Sequence, residues 1–374
     1  MNFLILSCKT GGGHDAAAYA LELQFKKMGH DAFVFDYLTL AGEKVAKLVA
    51  NAYVNLVKTA PVVFGEAYKL AMFVSKHTKE SPVYKQNRKM AKYLKEYLEN
   101  NHYDAIIMTH LFPAETLTYM KKLNIPLPPF VAVATDYTCI PFWEETDCDY
   151  YIIPHNLLVD EFVKRGIPRE KLYPLGIPFS PKILDNVSKV EAREMLNLPS
   201  NGKIALLIGG SMGAGKMVKL AKYFKSYQKD NDIFVVAICG NNKRVFKKIS
   251  RKYGKDEKFQ VIKQTNQMPI YLKACDIIYT KPGGLSSTEA AAARIPIVHT
   301  FPIPGCETAN KVFFNELGMS ISAKNAKELT RVGLELLNSP EDLLKMKRAQ
   351  EENLDIKTTE NIANLIIDKL YSNK

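Results

Sequence analysis

The feature that most constrains the fold is the succession of an apolar run, a glycine turn and an alanine-rich segment within residues 277–300. Residues 277–279 predict a buried strand, residues 282–284 a tight turn, and residues 286–289 the capped start of a helix. A second apolar strand follows at residues 297–300. This βαβ pattern predicts a parallel sheet, because parallel strands need a crossover connection that is usually a helix.

The glycine turn predicts a phosphate site. Gly283 and Gly284 let the backbone approach a ligand closely, and Ser286 opens the helix. The free N–H groups and the positive end of the helix dipole favour an anion there. Glu289 could accept two hydrogen bonds from a vicinal diol such as a ribose. An ordinary βα turn without a ligand is the alternative for this stretch taken alone.

The length and the cysteine pattern limit the class of protein. At 374 residues the chain exceeds the size of one hydrophobic core, so two domains are expected. The six cysteines are scattered and form no CxxC pair, which predicts neither a metal site nor a disulfide framework in a reduced, cytoplasmic chain. Residues 1–6 are too short for a signal peptide and predict a first strand. No apolar run approaches the about twenty residues of a membrane span, so any membrane contact is expected to be peripheral.

A second glycine turn follows that first strand. Residues 9–14 read Lys-Thr-Gly-Gly-Gly-His and precede a predicted helix at residues 15–28. Gly13 allows close backbone approach, and His14 lies where a ligand at the helix N-terminus would be. The GxGxxG spacing of dinucleotide-binding proteins is absent. His14 is therefore a candidate catalytic residue, with an ordinary surface histidine as the alternative.

Other polar residues follow predicted strands. His110, Asp136 and His155 each lie just beyond the carboxyl end of a strand, where ligands bind in open α/β sheets. We therefore expect these residues to converge with His14. Trp143, the only tryptophan, follows Asp136 by a short loop.

Residues 41–98 interrupt the alternation of strands and helices. Eleven Lys and Arg against four Glu give this segment a net charge of +7, more than half of the chain's +12. Apolar and aromatic residues recur there at helical spacing, which is typical of a surface that attracts anionic headgroups while apolar side chains enter the membrane interface. A solvated helical face covering the core is the alternative. A nucleic-acid partner is not expected, since no recognised nucleic-acid module is present.

The pattern divides the chain into an N-terminal domain at residues 1–178, a C-terminal domain at 179–355 and a last helix at 356–374 that packs back on the N-terminal domain. Residues 176–181 contain two prolines and predict a linker. Residues 210–217 nearly spell a P-loop, but Met217 stands where Ser or Thr would hold Mg²⁺. Residues 147–149 resemble a DxD metal motif, yet they precede their strand and are interpreted as a loop.

Taken together, the motifs resemble the family 28 glycosyltransferases, and within them the monogalactosyldiacylglycerol synthases and processive diacylglycerol glucosyltransferases. The matching pieces are TGGGH at 10–14, VATD at 133–136, PFW at 141–143, LGIP at 175–178, IGGS at 208–211, ICGN at 238–241, TKPGG at 280–284, EA at 289–290, and GCE at 305–307 followed by Asn310. The resemblance implies an α/β GT-B fold, with two Rossmann-like domains whose mainly parallel sheets face a central cleft.

The resemblance also implies roles for individual residues. His14 and Asp136 are the expected catalytic pair, and His110 and Trp143 are expected to bind the acceptor. The expected donor-binding residues are Gly13, Gly209, Ser211, Gly240, Gly283, Gly284, Ser286, Glu289, Glu307 and Asn310. Members often carry Gln where this chain has Cys306, and a thiol cannot replace the donor and acceptor of an amide, so the identity of the sugar stays open.

The implied activity is inverting, metal-independent transfer of a hexose, glucose or galactose, from a UDP-sugar to diacylglycerol or a glycolipid. No cofactor is expected besides the donor, and the enzyme is expected at the inner face of the cell membrane, bound to its anionic surface. Three alternatives remain at this stage: a UDP-sugar 2-epimerase, a lipid II-type glycosyltransferase, and a non-catalytic membrane-associated protein that responds to UDP-sugars.

Overall fold

The computed structural model describes residues 1–9, 11–78, 80–210, 213, 216–229 and 231–372, and the chain forms two compact units. The first unit comprises Met1–Pro181, Pro304–Cys306 and Lys357–Lys374, and the second comprises Lys182–Ile303 and Glu307–Ile356.

The first unit contains a parallel sheet of six strands in the order β2-β1-β3-β4-β5-β6. Its strands are β1 (Asn2–Ser7), β2 (Asp31–Asp36), β3 (Ala105–Met108), β4 (Phe130–Val133), β5 (Tyr150–Ile152) and β6 (Leu172–Tyr173). The helices of this unit that precede the second unit in the sequence are α1 (Gly12–Lys27), α2 (Glu43–Thr59), α3 (Pro61–His77), α4 (Pro82–Asn87), α5 (Ala91–Glu99), α6 (Leu111–Lys122) and α7 (Val159–Lys164). The central strands β3 and β4 are buried along their whole length, as expected for a parallel sheet covered on both faces.

The second unit repeats this architecture with strand order β12-β11-β10-β7-β8-β9, again all parallel. Its strands are β7 (Lys203–Ile208), β8 (Ile233–Ile238), β9 (Phe259–Ile262), β10 (Ile277–Thr280), β11 (Ile297–His299) and β12 (Ile321–Ser322). Its helices are α8 (Lys189–Met195), α9 (Met217–Tyr227), α10 (Lys243–Tyr253), α11 (Met268–Ala274), α12 (Gly284–Ala292), α13 (Cys306–Glu316), α14 (Ala326–Leu337) and α15 (Pro340–Asn353).

The last helix, α16 (Thr358–Ser372), packs on the first unit. Its apolar face, which includes Ile362 and Ile366, joins the core that α1 forms with the sheet. The predicted linker at residues 176–181 leads to the boundary between the two units, since the first segment of the first unit ends at Pro181. The backbone N–H of Phe179 donates to Thr359 Oγ1 at 3.0 Å, and Phe179 is buried.

The predicted capping box at the start of α12 is wrong. The helix begins at Gly284 with Gly283 as its N-cap, and no side chain caps it. Ser286 therefore lies inside the first turn, and the turn's N–H groups are not consumed by a serine hydroxyl. Among the described residues, no helix combines the length and the apolar character needed to cross a bilayer.

Candidate functional site

His14 lies in the first turn of α1, next to Gly13, where β1 ends. Its Nδ1 is 2.8 Å from the carbonyl oxygen of Thr109 and 3.0 Å from the hydroxyl oxygen of Thr135. A carbonyl oxygen only accepts, so Nδ1 carries a proton, and in the neutral imidazole the lone pair is on Nε2. The two neighbouring strands, β3 and β4, thus hold His14 in the tautomer that a general base requires.

Thr109 and Thr135 were not among the residues predicted for this role. Thr109 directly follows β3, and Thr135 lies two residues beyond the end of β4, at the same sheet edge as His14. Their position after β3 and β4 is the signal by which the sequence could have indicated them. Every residue has a backbone carbonyl, however, so the identity of residue 109 does not reveal that its carbonyl accepts from His14.

His110 is a second imidazole beside the first, with ring centroids 4.7 Å apart. Its Nδ1 accepts a hydrogen bond from the backbone N–H of Phe112 at 3.2 Å and so caps α6. Burial, followed by the proximity of His14, lowers the pKa of His110 well below its usual range. His110 is therefore neutral and adds no positive charge to the site.

These histidines line a cavity of about 360 Å³ within the first unit. Asp136 and Cys306 also reach it. Its walls are mainly apolar and include Leu56, Phe64, Ala67, Ala71, Ile140 and Trp143. An apolar chamber with few polar groups suits a hydroxyl carried on an apolar body.

His155 is not among the residues that line this cavity, so the expected convergence of four strand-end residues is reduced to three. Its Nδ1 accepts from the backbone N–H of Leu157 at 3.2 Å, capping the short helix Asn156–Leu158.

The loop that carries Asp136 and Trp143 is held by buried ionic contacts. Glu144 accepts two hydrogen bonds from the Arg165 guanidinium, at 2.8 and 2.9 Å. Glu161 accepts from the hydroxyl of Thr138 at 2.7 Å and from a backbone N–H at 2.8 Å. Both hydrogen bonds to Glu144 come from Arg165 Nη2. Hydrogen bonds to a carboxylate are stronger than neutral ones, so these contacts hold the cavity wall in place.

Cys306 belongs to this cavity and to the first unit. The preceding Gly305 has a φ of 119°, and a Cβ there would lie 3.1 Å from the Tyr68 ring, so glycine is required. Burial, and next the proximity of Cys306, raises the pKa of Tyr68 far above its usual range. Tyr68 is therefore a neutral hydroxyl beside the thiol.

The second unit presents its glycines where β7, β8 and β10 end. Gly209 directly follows β7, Gly240 lies two residues beyond the end of β8, and Gly283 and Gly284 lie at the start of α12. Ser211 lies outside the described residues. The first-turn N–H groups of α12 lie at the helix end where the sequence predicts an anion site.

Lys281 lies at these turns. Its Nζ contacts the Glu307 carboxylate, and its Cε would be 2.7 Å from any Cβ at Gly210, which has a φ of 63°. Glycine at 210 thus makes room for the lysine stem. Glu307 Oε2 also accepts from the backbone N–H of Ile303 at 2.8 Å. An ammonium group beside a phosphate-binding turn can neutralise diphosphate oxygens.

Sequence reasoning missed Lys281, although it stands next to the glycine turn in the motif at 280–284. The contact with Glu307 also gives that carboxylate a partner besides any sugar hydroxyl. Asn310 is fully buried, and its side-chain amide donates to the carbonyl oxygen of Pro282 at 3.1 Å. This hydrogen bond holds the glycine turn at residues 282–284 in position.

Glu289 is half-buried on α12. Burial raises the pKa of its carboxyl to about 7. A group with this pKa is only partly ionised near neutral pH, and hydrogen-bond donors that favour the carboxylate would lower its pKa. Hydrogen bonds donated by a diol would therefore favour the ionised form of Glu289.

A buried imidazole secures the same helix. His299 on β11 contacts Ser287 on α12 through Nε2 at 2.9 Å and Ser320 through Nδ1 at 3.0 Å. Burial lowers the pKa of His299 to about 3, so the ring is neutral and its two contacts position α12 without adding charge.

Within the described ranges, no three His, Cys, Asp or Glu side chains cluster as metal ligands would. Asp147, from the DxD-like stretch, is instead paired with Lys121 and Lys171.

Two family models match the chain. The monogalactosyldiacylglycerol (MGDG) synthase model covers residues 14–179, and the glycosyl transferases group 1 model covers residues 189–353. A processive diacylglycerol beta-glucosyltransferase of Staphylococcus saprophyticus is 26% identical over 359 residues, which cover 93% of this chain and 88% of that protein. The resemblance to family 28 glycosyltransferases is confirmed.

Solved structures share the fold of this glycosyltransferase-like chain. The S. aureus MnaA structure with UDP has a TM-score of 0.66 at 14% identity, covering 100% of this chain and 97% of that one. The UDP-GlcNAc 2-epimerase of Neisseria meningitidis, bound to UDP-GlcNAc, has a TM-score of 0.61 at 13% identity, covering 98% and 100% of the two chains. The predicted GT-B class, with two Rossmann-like units, is confirmed.

Proposed function

We propose that the protein transfers a glucosyl group from UDP-glucose to the hydroxyl of diacylglycerol with inversion, giving a β-glucolipid. The observation that carries the proposal is the apolar cavity of the first unit with His14 held by Thr109 as a base. Glucose is preferred over galactose because the compared relative is named a glucosyltransferase.

In the proposed reaction, the acceptor hydroxyl oxygen attacks the anomeric carbon and passes its proton to Nε2 of His14. The bond between the anomeric carbon and the phosphate oxygen breaks, and its electron pair leaves with UDP. Asp136 orients the hydroxyl or the imidazole. His110 and Trp143 shape the cavity that holds the glycerol backbone.

The donor half of the proposal assigns the diphosphate to the N–H groups at Gly283 and Gly284, with Lys281 neutralising its charge. Glu289 accepts from the ribose diol. Gly13, Gly209, Ser211, Gly240 and Ser286 complete the nucleotide contacts, and Glu307 and Asn310 bind the sugar. No metal or cofactor is required in this scheme, because the lysine and the backbone dipoles supply the positive charge.

The proposed site of action is the inner face of the cell membrane. Helices α2 and α3 expose Leu48, Leu70 and Phe73 by 70%, 62% and 62%. Exposed lysines on the same helices include Lys47 and Lys69. Apolar side chains interleaved with cations are typical of a segment that enters the interface of an anionic bilayer. Nucleic acid is not a proposed partner.

The deciding experiment is incubation of the full chain with diacylglycerol and, separately, UDP-glucose, UDP-galactose and UDP-N-acetylglucosamine, followed by mass spectrometry of the lipids. A β-linked glucosyl-diacylglycerol supports the proposal. A galactolipid corrects the sugar, and absence of any glycolipid refutes the activity.

Membrane contact has its own test. In sedimentation with vesicles, the protein should bind those that contain phosphatidylglycerol, and the bound fraction should fall as salt rises. Equal binding to neutral vesicles at all salt concentrations would contradict the anionic surface.

A UDP-sugar 2-epimerase is the second candidate, because the epimerase of Neisseria meningitidis shares the fold. Conversion of a UDP-sugar to its 2-epimer in the absence of any lipid acceptor would favour it.

A further inference from the structure

A second strongly basic segment lies in the second unit. Residues 216–258 contain thirteen Lys and Arg against four Asp and Glu, a net charge of +9. Together with the +7 of residues 41–98, this exceeds the chain's total of +12, so the remaining residues carry a net charge of −4. The positive charge is thus concentrated in two segments, and the second one has no role in the proposed transfer.

The basic residues of helices α9 and α10 are exposed to solvent. The basic residues of α10 are all exposed: Lys243, Arg244, Lys247, Lys248, Arg251 and Lys252. On α9, Lys219, Lys222 and Lys225 are exposed as well. Ion pairs within the described chain engage only Lys225 and Lys258 of the thirteen. We call the exposed basic residues of α9 and α10 the second basic face.

This arrangement is unfavourable for the isolated helix. Four like-charged pairs on α10 are spaced i,i+4, beginning at Lys243, Arg244, Lys247 and Lys248. Like charges at this spacing repel each other and destabilise a helix. By contrast, α2 contains a Glu43–Lys47 pair of opposite sign. A repulsive face that folding does not require is explained by an anionic partner that removes the repulsion.

The second basic face differs from α2 and α3 in having no exposed large apolar or aromatic residue among its described positions. Base stacking on aromatic side chains, which single-stranded nucleic acids use, is therefore not offered. The face does contain a cavity of about 420 Å³. Lys222, Lys225, Lys229, Lys252 and Lys258 line it, with Asp256 and Glu257. The cavity is large enough for a phosphate headgroup.

We propose that the second basic face binds the anionic headgroups of a lipid bilayer through electrostatic attraction, without insertion of side chains. The choice of lipid over another polyanion rests on the proposed function, because a lipid acceptor brings the protein to a bilayer. This surface differs chemically from that of α2 and α3, which combines charge with apolar side chains, because the second basic face has charge alone.

The test uses the full chain with Lys247→Glu, Lys248→Glu and Arg251→Glu combined. A control of equal charge change on the same unit is Lys324→Glu, Lys327→Glu and Lys347→Glu, which are also exposed. Partitioning is measured on vesicles of phosphatidylcholine with and without phosphatidylglycerol. At about 1 kcal/mol for each cation removed from the surface, the α10 variant should bind anionic vesicles at least about 100-fold more weakly. The control should change by less than about threefold, since its residues lie outside the proposed face.

Equal losses in the two variants, or no loss in the α10 variant, would overturn the proposal. Tighter binding of duplex DNA than of anionic vesicles, abolished by the α10 substitutions, would assign the face to nucleic acid instead. Replacing the same three residues with Gln keeps the test valid if charge reversal prevents folding.

Glycolipid synthesis in neutral detergent micelles separates this proposal from the proposed function. The α10 variant should retain wild-type turnover there. If the wild-type protein makes no glycolipid, the transferase proposal fails, whereas the vesicle result still decides the role of the second basic face.

Discussion

The cavity of the first unit and the glycine turns of the second unit handle charge in different ways. The cavity brings together two imidazoles, one of them kept neutral by burial, within mainly apolar walls. The glycine turns instead surround a buried ion pair between Lys281 and Glu307. The difference fits the proposed division of tasks, in which the first unit handles a proton and an apolar body and the second binds the diphosphate leaving group.

The sharpest test of this division is His14→Ala. Turnover should fall by about 10²-fold or more, because a positioned base contributes about 10²–10⁴. UDP affinity, measured by calorimetry, should stay nearly unchanged. His102→Ala, an exposed histidine, is the control. Unchanged turnover would remove His14 from the mechanism, and lost UDP affinity would contradict the division.

The corresponding test in the second unit is Lys281→Met. Removing one partner of a buried pair leaves Glu307 uncompensated, so the free energy of unfolding should fall by about 3 kcal/mol. Adding Glu307→Gln should recover most of the loss. Chemical denaturation measures both. A single variant as stable as the wild type would show that the pair is not important for the stability of the unit.

The pH dependence of UDP binding follows from Glu289. Burial raises its pKa to about 7, so the carboxyl is largely protonated at pH 6 and ionised at pH 8. If the ribose donates to the carboxylate, binding lowers that pKa and UDP affinity rises with pH, by up to about tenfold over this interval. Glu289→Gln should flatten the profile and weaken binding at pH 8. A profile that Glu289→Gln leaves intact would refute the ribose role.

The smallest expected effect is that of Cys306→Ala on sugar selectivity. Cys306 lines the cavity of the first unit beside Tyr68, so the ratio of kcat/KM for UDP-glucose and UDP-galactose should change by less than about twofold. The KM for the lipid acceptor is the value expected to change. Steady-state kinetics with both donors measures these values. A large change in the ratio of kcat/KM for the two donors would show that Cys306 acts on the donor and would contradict its assignment to the acceptor cavity.

The sequence by itself determined the α/β class, the two parallel sheets and the strand-end positions of the polar residues. Apolar runs such as those of β3 and β10 are buried along their whole length, and their shortness together with the alternating helical segments predicts parallel strands. Glycine turns after strands can also be predicted from the sequence, because glycine tolerates backbone conformations and close approaches that other residues do not.

Only the tertiary structure decided which partners these residues meet. The carbonyl of Thr109 fixes the tautomer of His14 across 95 positions of sequence, and Lys281 meets Glu307 across 26. The start of α12 at Gly284 and the packing of Phe179 against Thr359 were likewise set by tertiary contacts. Such contacts form only when segments that are distant in the sequence come together. The local sequence pattern shows which groups are present, but it does not show which of them become neighbours.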